Sequence, residues 1–197
     1  PATAEVIAAA PNLRLIQKIG VGVNPIDLDA ARARGITVCN MPGTNSQAVA
    51  EATVMLLLSA LRRAAMFHDA TRRGDGWRLD PAIFDQVGEV AGRTVGLVGY
   101  GEVGRRVAPV LRALGARVLY TATNPKPGAE ADWRGLSDLL GECDIISLHL
   151  PLTPETENLL DAAAFAAMKP GAVLINTARG GLVDSAALYE ALTKGSL

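Results

Sequence analysis

Three observations on the sequence predict an α/β fold built on parallel strands. Short apolar, β-branched runs recur along the chain (LRLIQKIG, ITVCNMPG, TVGLVGYG, ARVLYT, CDIISLHL, AVLINTA), and helix-patterned stretches fill the intervals. Alternation of this kind lays strands side by side and packs helices on the sheet faces. Of the 197 residues, 49% are hydrophobic, enough for one good core or two small ones sharing an interface.

Taken in order, TAEVIAAAP reads as a short helix closed by proline, and LRLIQKIG as a buried strand ending in glycine. NPIDLDAARARG has aspartates early, arginines late and a terminal glycine, the charge order a helix dipole prefers, and ITVCNMPG is the next strand. From Asn45 to Gly74 the chain has neither proline nor glycine before its end, opens on a capping residue and closes on arginines. One long helix is expected there. Asp75 to Arg93 breaks every periodicity with Gly and Pro, so the domain junction is placed within it. Four apolar runs follow, with helical patterns at Glu102–Leu114, Leu136–Leu140 and Asp161–Met168, which is the order of a doubly wound sheet. Pro109, inside the first of these helices, is expected to bend it slightly.

Lys and Arg total 19 against 20 Asp and Glu, so no excess of charge is available to hold a phosphate backbone or an anionic membrane. Nucleic acid and membrane are not expected partners. The most apolar stretch, Ala52 to Leu61, is far shorter than the roughly 20 residues of a bilayer span. No leader is expected, and Cys39 and Cys143 stand far apart without metal-type neighbours, which suits buried thiols in a reducing, cytoplasmic setting. Nothing surrounds His68 at metal-ligand spacing, and no metal site is expected. Opening on Pro1 and closing on TKGSL, the chain is expected to be a fragment of a longer protein.

Gly99, Gly101 and Gly104 stand after a strand and at the mouth of a helix, the context that gives a G-x-G-x-x-G pattern its meaning. Glycine at 99 permits the turn, at 101 lets a pyrophosphate approach main-chain N–H groups, and at 104 lets helix pack on strand. The helix N-terminus then favours the anion, so Gly99, Tyr100, Gly101, Glu102, Val103 and Gly104 are candidate dinucleotide contacts. A glycine-rich turn that binds no dinucleotide is the bland alternative. An acidic residue normally follows the next strand to hold the ribose hydroxyl, yet VLYTATNPKPG offers none. Thr121, Thr123 and Asn124, with Lys126 nearby, would welcome a 2′-phosphate. The expected cofactor is NAD or NADP, with NADP favoured.

Three motifs occur in order: GVGVNPIDL at Gly20–Leu28, the turn at Gly99, and PLTPETENLL running on to MKPGAVLINTARGGLVD. With them the chain resembles the D-isomer-specific 2-hydroxyacid dehydrogenases, the group of D-3-phosphoglycerate dehydrogenase and glyoxylate/hydroxypyruvate reductase. The resemblance implies a Rossmann-like nucleotide domain, a partial flavodoxin-like substrate domain and an active site in the cleft. It places a partial substrate domain at 1–75, ending in an interdomain helix, and the dinucleotide domain at 76–197, incomplete at its C-terminal side. It implies a homodimer, a small 2-oxo or 2-hydroxy acid as substrate, and hydride transfer between that acid and the dinucleotide.

Residue by residue, the resemblance assigns main-chain N–H groups of Val21 and Gly22 to the substrate carboxylate. Asn24 departs from the family's usual aspartate. Arg179 matches the catalytic arginine, whose guanidinium stays protonated and forks toward two oxygens. Asn176, Thr177 and Ala178 match the cofactor-lining stretch, and Leu150 and Pro151, with Leu152, the loop that covers the dinucleotide. His149 is not the family's proton carrier; that histidine and the glutamate holding it lie beyond TARGG and do not occur before Leu197. A dinucleotide-sensing binding protein of the same fold, corepressor-like, keeps Arg179 too and is the alternative; phosphite or formate oxidation is a third.

Overall fold

The computed structural model describes residues 1–76, 81–195 and 197. The chain divides into two compact units, Pro1–Gln47 and Ala48–Leu197.

In the first unit, α1 (Ala4–Ala8) is capped by Thr3, whose hydroxyl accepts from Val6 N, and α2 (Leu28–Ala33) by Asp27, whose carboxylate accepts from Ala30 N. Such caps are each worth about 1 kcal/mol. Strands β1 (Leu15–Gln17) and β2 (Thr37–Cys39) pair in parallel, Leu15 opposite Thr37. Ile7, Ala31 and Ile36 form a small buried core. The expectation of a buried strand at LRLIQKIG is corrected: β1 covers three residues, and Leu15 and Ile19 are exposed. A two-stranded sheet with one small core has too little surface to bury both faces of a strand.

The second unit holds a five-stranded parallel sheet in the order β5-β4-β3-β6-β7. Its strands are β3 (Thr94–Val98), β4 (Arg117–Thr121), β5 (Asp132–Trp133), β6 (Ile145–Leu148) and β7 (Val173–Asn176). Side chains alternate between faces. Val95, Leu97, Val118, Tyr120, Ile145 and Ile175 join one core with α3 (Ser46–Leu61) and α5 (Glu102–Ala113). Val98, Leu119, Ile146 and Leu148 join another with α6 (Leu136–Glu142), α7 (Ala162–Ala167) and α8 (Ser185–Thr193). Helices on both faces make the sheet doubly wound, as the alternation predicts. Two-residue β5 is too short for a periodicity to announce it.

At the amino ends of the strands, the Asp144 carboxylate accepts from Thr94 N at 2.8 Å and pairs with Lys169 Nζ at 3.0 Å. Burial opposes its charge, but those two partners outweigh it and hold the carboxyl below its usual range.

One expectation about the connecting region is corrected. The helix from Asn45 to Gly74 is two helices, α3 and α4 (Ala64–Arg73), parted at Arg63 in the left-handed region (φ 51°, ψ 38°). Leu61 O accepts from Gly88 N at 2.8 Å instead of continuing the helix. That donor sits 27 residues away in sequence, so no local breaker marks the site. The compact units part at Gln47/Ala48, ahead of the junction expected at Asp75–Arg93. Ala50, Leu57 and Leu61 of α3 are buried in the core of the five-stranded sheet, which draws this helix into the second unit. Residues 77–80 of the expected junction lie outside the described residues. Among the described residues, no helix is long and apolar enough to cross a membrane.

Candidate active site

Strand β3 is the centre of the sheet: the chain leaves it toward β4 on one side and reaches β6 on the other. Loops leaving the carboxyl ends of β3 and β6 therefore diverge and open a crevice, the place where such sheets hold ligands. A cavity of about 560 Å³ occupies it. Gly99, Tyr100 and Gly101 come from the β3 loop, Thr121, Thr123 and Lys126 from the β4 loop, and His149, Leu150, Pro151, Thr153 and Thr156 from the β6 loop. Leu136 and Leu159 add an apolar wall. Among the described residues, Lys126 is the one formal charge in this lining.

The glycines of the β3 turn have separate tasks. Gly99 has φ +101°, and a Cβ there would lie 2.4 Å from His149 O. Glycine is thus required by backbone conformation and by the close approach of the β6 loop. At Gly104 a Cβ would lie 2.6 Å from Gly99 O, so helix and turn touch there. At Gly101, which lines the cavity, a Cβ would meet nothing within 4 Å. The first α5 hydrogen bond is Arg105 N to Gly101 O at 3.0 Å, which leaves the N–H groups of Glu102, Val103 and Gly104 ahead of it. Gly101 caps the helix without any side-chain bond. An open glycine at the mouth of a twelve-residue helix fits a pyrophosphate.

The side chains of Tyr100 and Glu102 turn elsewhere. Tyr100 is buried against Tyr120, ring centroids 4.3 Å apart, and its hydroxyl accepts from Glu130 N. Glu102 pairs with Arg106 at 2.6 Å. What these two residues offer a ligand at the turn is main chain. In the β4 loop, Tyr120 Oη accepts from Lys126 N at 2.6 Å and so fixes the backbone of the lysine at the cavity. Thr121 and Thr123 line the cavity; Asn124 is exposed outside its lining.

His149 faces the cavity with its Nε2 3.0 Å from Ser147 Oγ. Burial pushes its pKa down to about 4, so the ring is neutral at physiological pH. A ring held by a buried serine is a wall and not a proton carrier. Cys143, wholly buried, has its thiol pushed up to about 12 by burial and is inert. Sequence reading missed Leu136, Thr153, Thr156 and Leu159 as cavity walls; PLTPETENLL carried three of them, as part of a family motif without assigned roles.

Arg179 lies just past β7. Pairing aligns Val98 with Leu148 and Leu148 with Asn176, so two strand spacings, about 10 Å, separate the ends of β3 and β7. Arg179 is exposed, its backbone extended at φ −142°, and its Nη1 donates to Ala178 O at 2.8 Å. Among the described residues no carboxylate pairs with its guanidinium. Asn176 Oδ1 accepts from Ala178 N at 3.0 Å and its Nδ2 donates to Arg179 O at 2.8 Å. Thr177 Oγ1 lies 2.9 Å from Thr53 Oγ1. Asn176, Thr177 and Ala178 thus lie in the Arg179 loop and outside the cavity lining.

In the first unit, Gly20 has φ +110°, Met41 N donates to Gly20 O at 3.0 Å, and Asn40 Nδ2 donates to Val21 O at 2.8 Å. The carbonyls of Gly20 and Val21 are taken, while the N–H groups of Val21 and Gly22 have no acceptor among the described residues. Such a nest suits an anion.

A profile described as D-isomer specific 2-hydroxyacid dehydrogenase, NAD binding domain, matches residues 54–197. The chain belongs to the D-isomer specific 2-hydroxyacid dehydrogenase family. Its second unit carries the NAD binding domain of that family. The chain is 44% identical over 196 residues to a D-3-phosphoglycerate dehydrogenase of Mycobacterium tuberculosis, covering 98% of this chain and 36% of that protein. It is 40% identical over 199 residues to a glyoxylate reductase of Aeropyrum pernix, covering 97% of this chain and 59% of the reductase. The crystal structure of D-lactate dehydrogenase from Aquifex aeolicus, complexed with NAD and lactic acid, superposes with TM-score 0.91 at 34% identity, covering 100% of this chain and 59% of that one. The chain therefore spans between 36% and 59% of the length of these three family members.

Proposed function

We propose that the intact protein is an NAD(P)-dependent oxidoreductase interconverting a small D-2-hydroxy acid and its 2-oxo acid. The observation that carries this reading is an unneutralised guanidinium, Arg179, at the carboxyl end of β7, two strands from a glycine turn with room for a pyrophosphate. The nicotinamide, when bound, supplies or takes the hydride. The chain holds the dinucleotide through the N–H groups at Gly101–Gly104, with Leu136, Leu150, Pro151 and Leu159 excluding water from the cavity. Arg179 grips the oxygens of the acid and polarises the carbonyl by a charge that never leaves it. The proton partner is a histidine oriented by a glutamate, supplied by the intact protein outside residues 1–197.

Acceptance of NADP belongs to this reading. Lys126, Thr121 and Thr123 at the cavity, without a carboxylate among the described residues of its lining, support a site that takes a 2′-phosphate. So does a second copy as partner: Met55 and Leu56 on the outer side of α3 are exposed, and a helix apolar on both sides favours a covered position. Unpaired Cys39 and Cys143 support a reducing, cytoplasmic compartment.

The test is reduction of glyoxylate, hydroxypyruvate and pyruvate by the intact protein with NADH or NADPH, followed by nicotinamide absorbance. Turnover of at least one acid is expected, and Arg179→Gln should lower kcat/KM about 100-fold or more, the loss of a charge-assisted clamp on the reacting oxygens. Dinucleotide binding without turnover of any acid, together with capture of a peptide partner, would favour the corepressor-like alternative.

A further inference from the structure

Thr53 is wholly buried on the inward stripe of α3 formed with Ala50, Leu57 and Leu61. A polar residue on such a stripe is the informative exception. Its Oγ1 lies 2.8 Å from Val49 O and 2.9 Å from Thr177 Oγ1. A carbonyl only accepts, and a hydroxyl has one proton, so Thr53 gives its proton to Val49 O. The bond between the two threonines must then be donated by Thr177. Back-bonding to the preceding turn is ordinary for a helical threonine, and valine would fill the same space. The second bond, to a residue 124 positions away, is what valine would lose.

Thr177 lies two residues before Arg179, in a loop pinned from two other sides. Asn176 binds the backbone of Ala178 and Arg179, and Asn158 N donates to Gly181 O at 2.8 Å. Those two anchors come from the strand end itself and from the loop after β6; the tie to α3 runs through Thr53. We propose that Thr53 is a positioning residue for the reaction: its hydroxyl, acting through Thr177, sets where the Arg179 guanidinium stands. This rests on the reading of Arg179 as the substrate clamp. Asn176, Thr177 and Ala178 lie outside the lining of the cavity at the Gly101 turn, so on this proposal the effect of Thr53 falls on the acid and not on the cofactor.

The test compares Thr53→Val and Thr53→Ser in the intact protein. Thr53→Val should lower kcat/KM for the 2-oxo acid about tenfold, the scale of one hydrogen bond acting on a reacting group. It should leave the dinucleotide Kd within about twofold and speed amide exchange at residues 177–179, whereas Thr53→Ser, which keeps the hydroxyl, should recover most of the activity. In an Arg179→Gln background Thr53→Val should add no further loss, because a residue acting through Arg179 has nothing left to position. Should Thr53→Val fail to fold, Thr177→Val removes the same bond while Thr53 keeps Val49, and it must reproduce the loss. Full activity in a folded Thr53→Val protein, no rescue by serine, or additive losses with Arg179→Gln would each overturn the proposal. An unsubstituted protein inactive on every acid would instead overturn the reading of Arg179, and amide exchange at residues 177–179 alone would then decide whether Thr53 holds the loop.

Discussion

The turn that follows β3 is shaped by side chains it lacks, whereas the loop that follows β7 is shaped by side chains that bind its backbone. At Gly99 and Gly104 any Cβ would collide with neighbouring backbone, and at Gly101 its absence leaves open room. At residues 176–179, by contrast, Asn176 and Thr177 hold the chain through hydrogen bonds, and one exposed cation results. The first arrangement offers neutral main-chain donors to phosphate; the second offers a charge to a small anion. A dinucleotide is bound in many orientations' worth of contacts spread over a surface, so backbone suffices; a reacting carbonyl needs one group at one place, so the loop is tied down.

The largest expected effect breaks the first arrangement. Gly99→Ala sets a methyl 2.4 Å from His149 O at φ +101°, and the combined strain and overlap should cost about 3–5 kcal/mol. Urea unfolding should show it as a fall in midpoint at unchanged slope. A stable Gly99→Ala protein would show that the β3 and β6 loops do not meet as described.

Next comes acid sensitivity at the same contact. His149 has its pKa pushed down to about 4, below its unfolded value near 6.5. Between these values the unfolded chain binds more protons, so stability is fully present above about pH 6.5 and is lost as pH falls toward 4. The shift corresponds to a loss on the order of 3 kcal/mol. His149→Asn should flatten this part of a stability–pH curve measured by urea unfolding.

How legible each region was in the sequence follows from the same contrast. Gly99, Gly101 and Gly104 act through their own lack of a side chain, a property printed in the sequence at fixed spacing, and the structure places Gly99 and Gly101 at the cavity. The doubly wound sheet was legible for a similar reason, since the alternation of apolar runs and helices is local. The break at Arg63 was not, because its cause is Gly88 reaching Leu61 O from a distant segment. Thr53 was equally silent: within ATVMLLLSAL it is one of two polar residues, with Ser59, and only the fold sets it beside Thr177. Arg179 was legible by resemblance, yet what holds it was not.

A smaller effect sharpens the division of labour inside the cavity. Lys126→Ala removes the one formal charge that the described residues give the lining and should weaken NADPH about five- to tenfold while leaving NADH within about twofold, as expected of one partly exposed charge on a phosphate. Equal weakening of both dinucleotides would place the 2′-position away from Lys126.

The most direct measurement is a titration of the unsubstituted protein and Gly101→Ala with NADH and NADPH by nicotinamide fluorescence. The backbone at Gly101 (φ −88°) accepts alanine, and the added methyl meets no protein atom within 4 Å, so folding should be unchanged. Affinity for both dinucleotides should fall about tenfold or more, because the methyl takes the space of the pyrophosphate. A Gly101→Ala protein that binds both dinucleotides as tightly as the unsubstituted one would contradict the assignment of the turn.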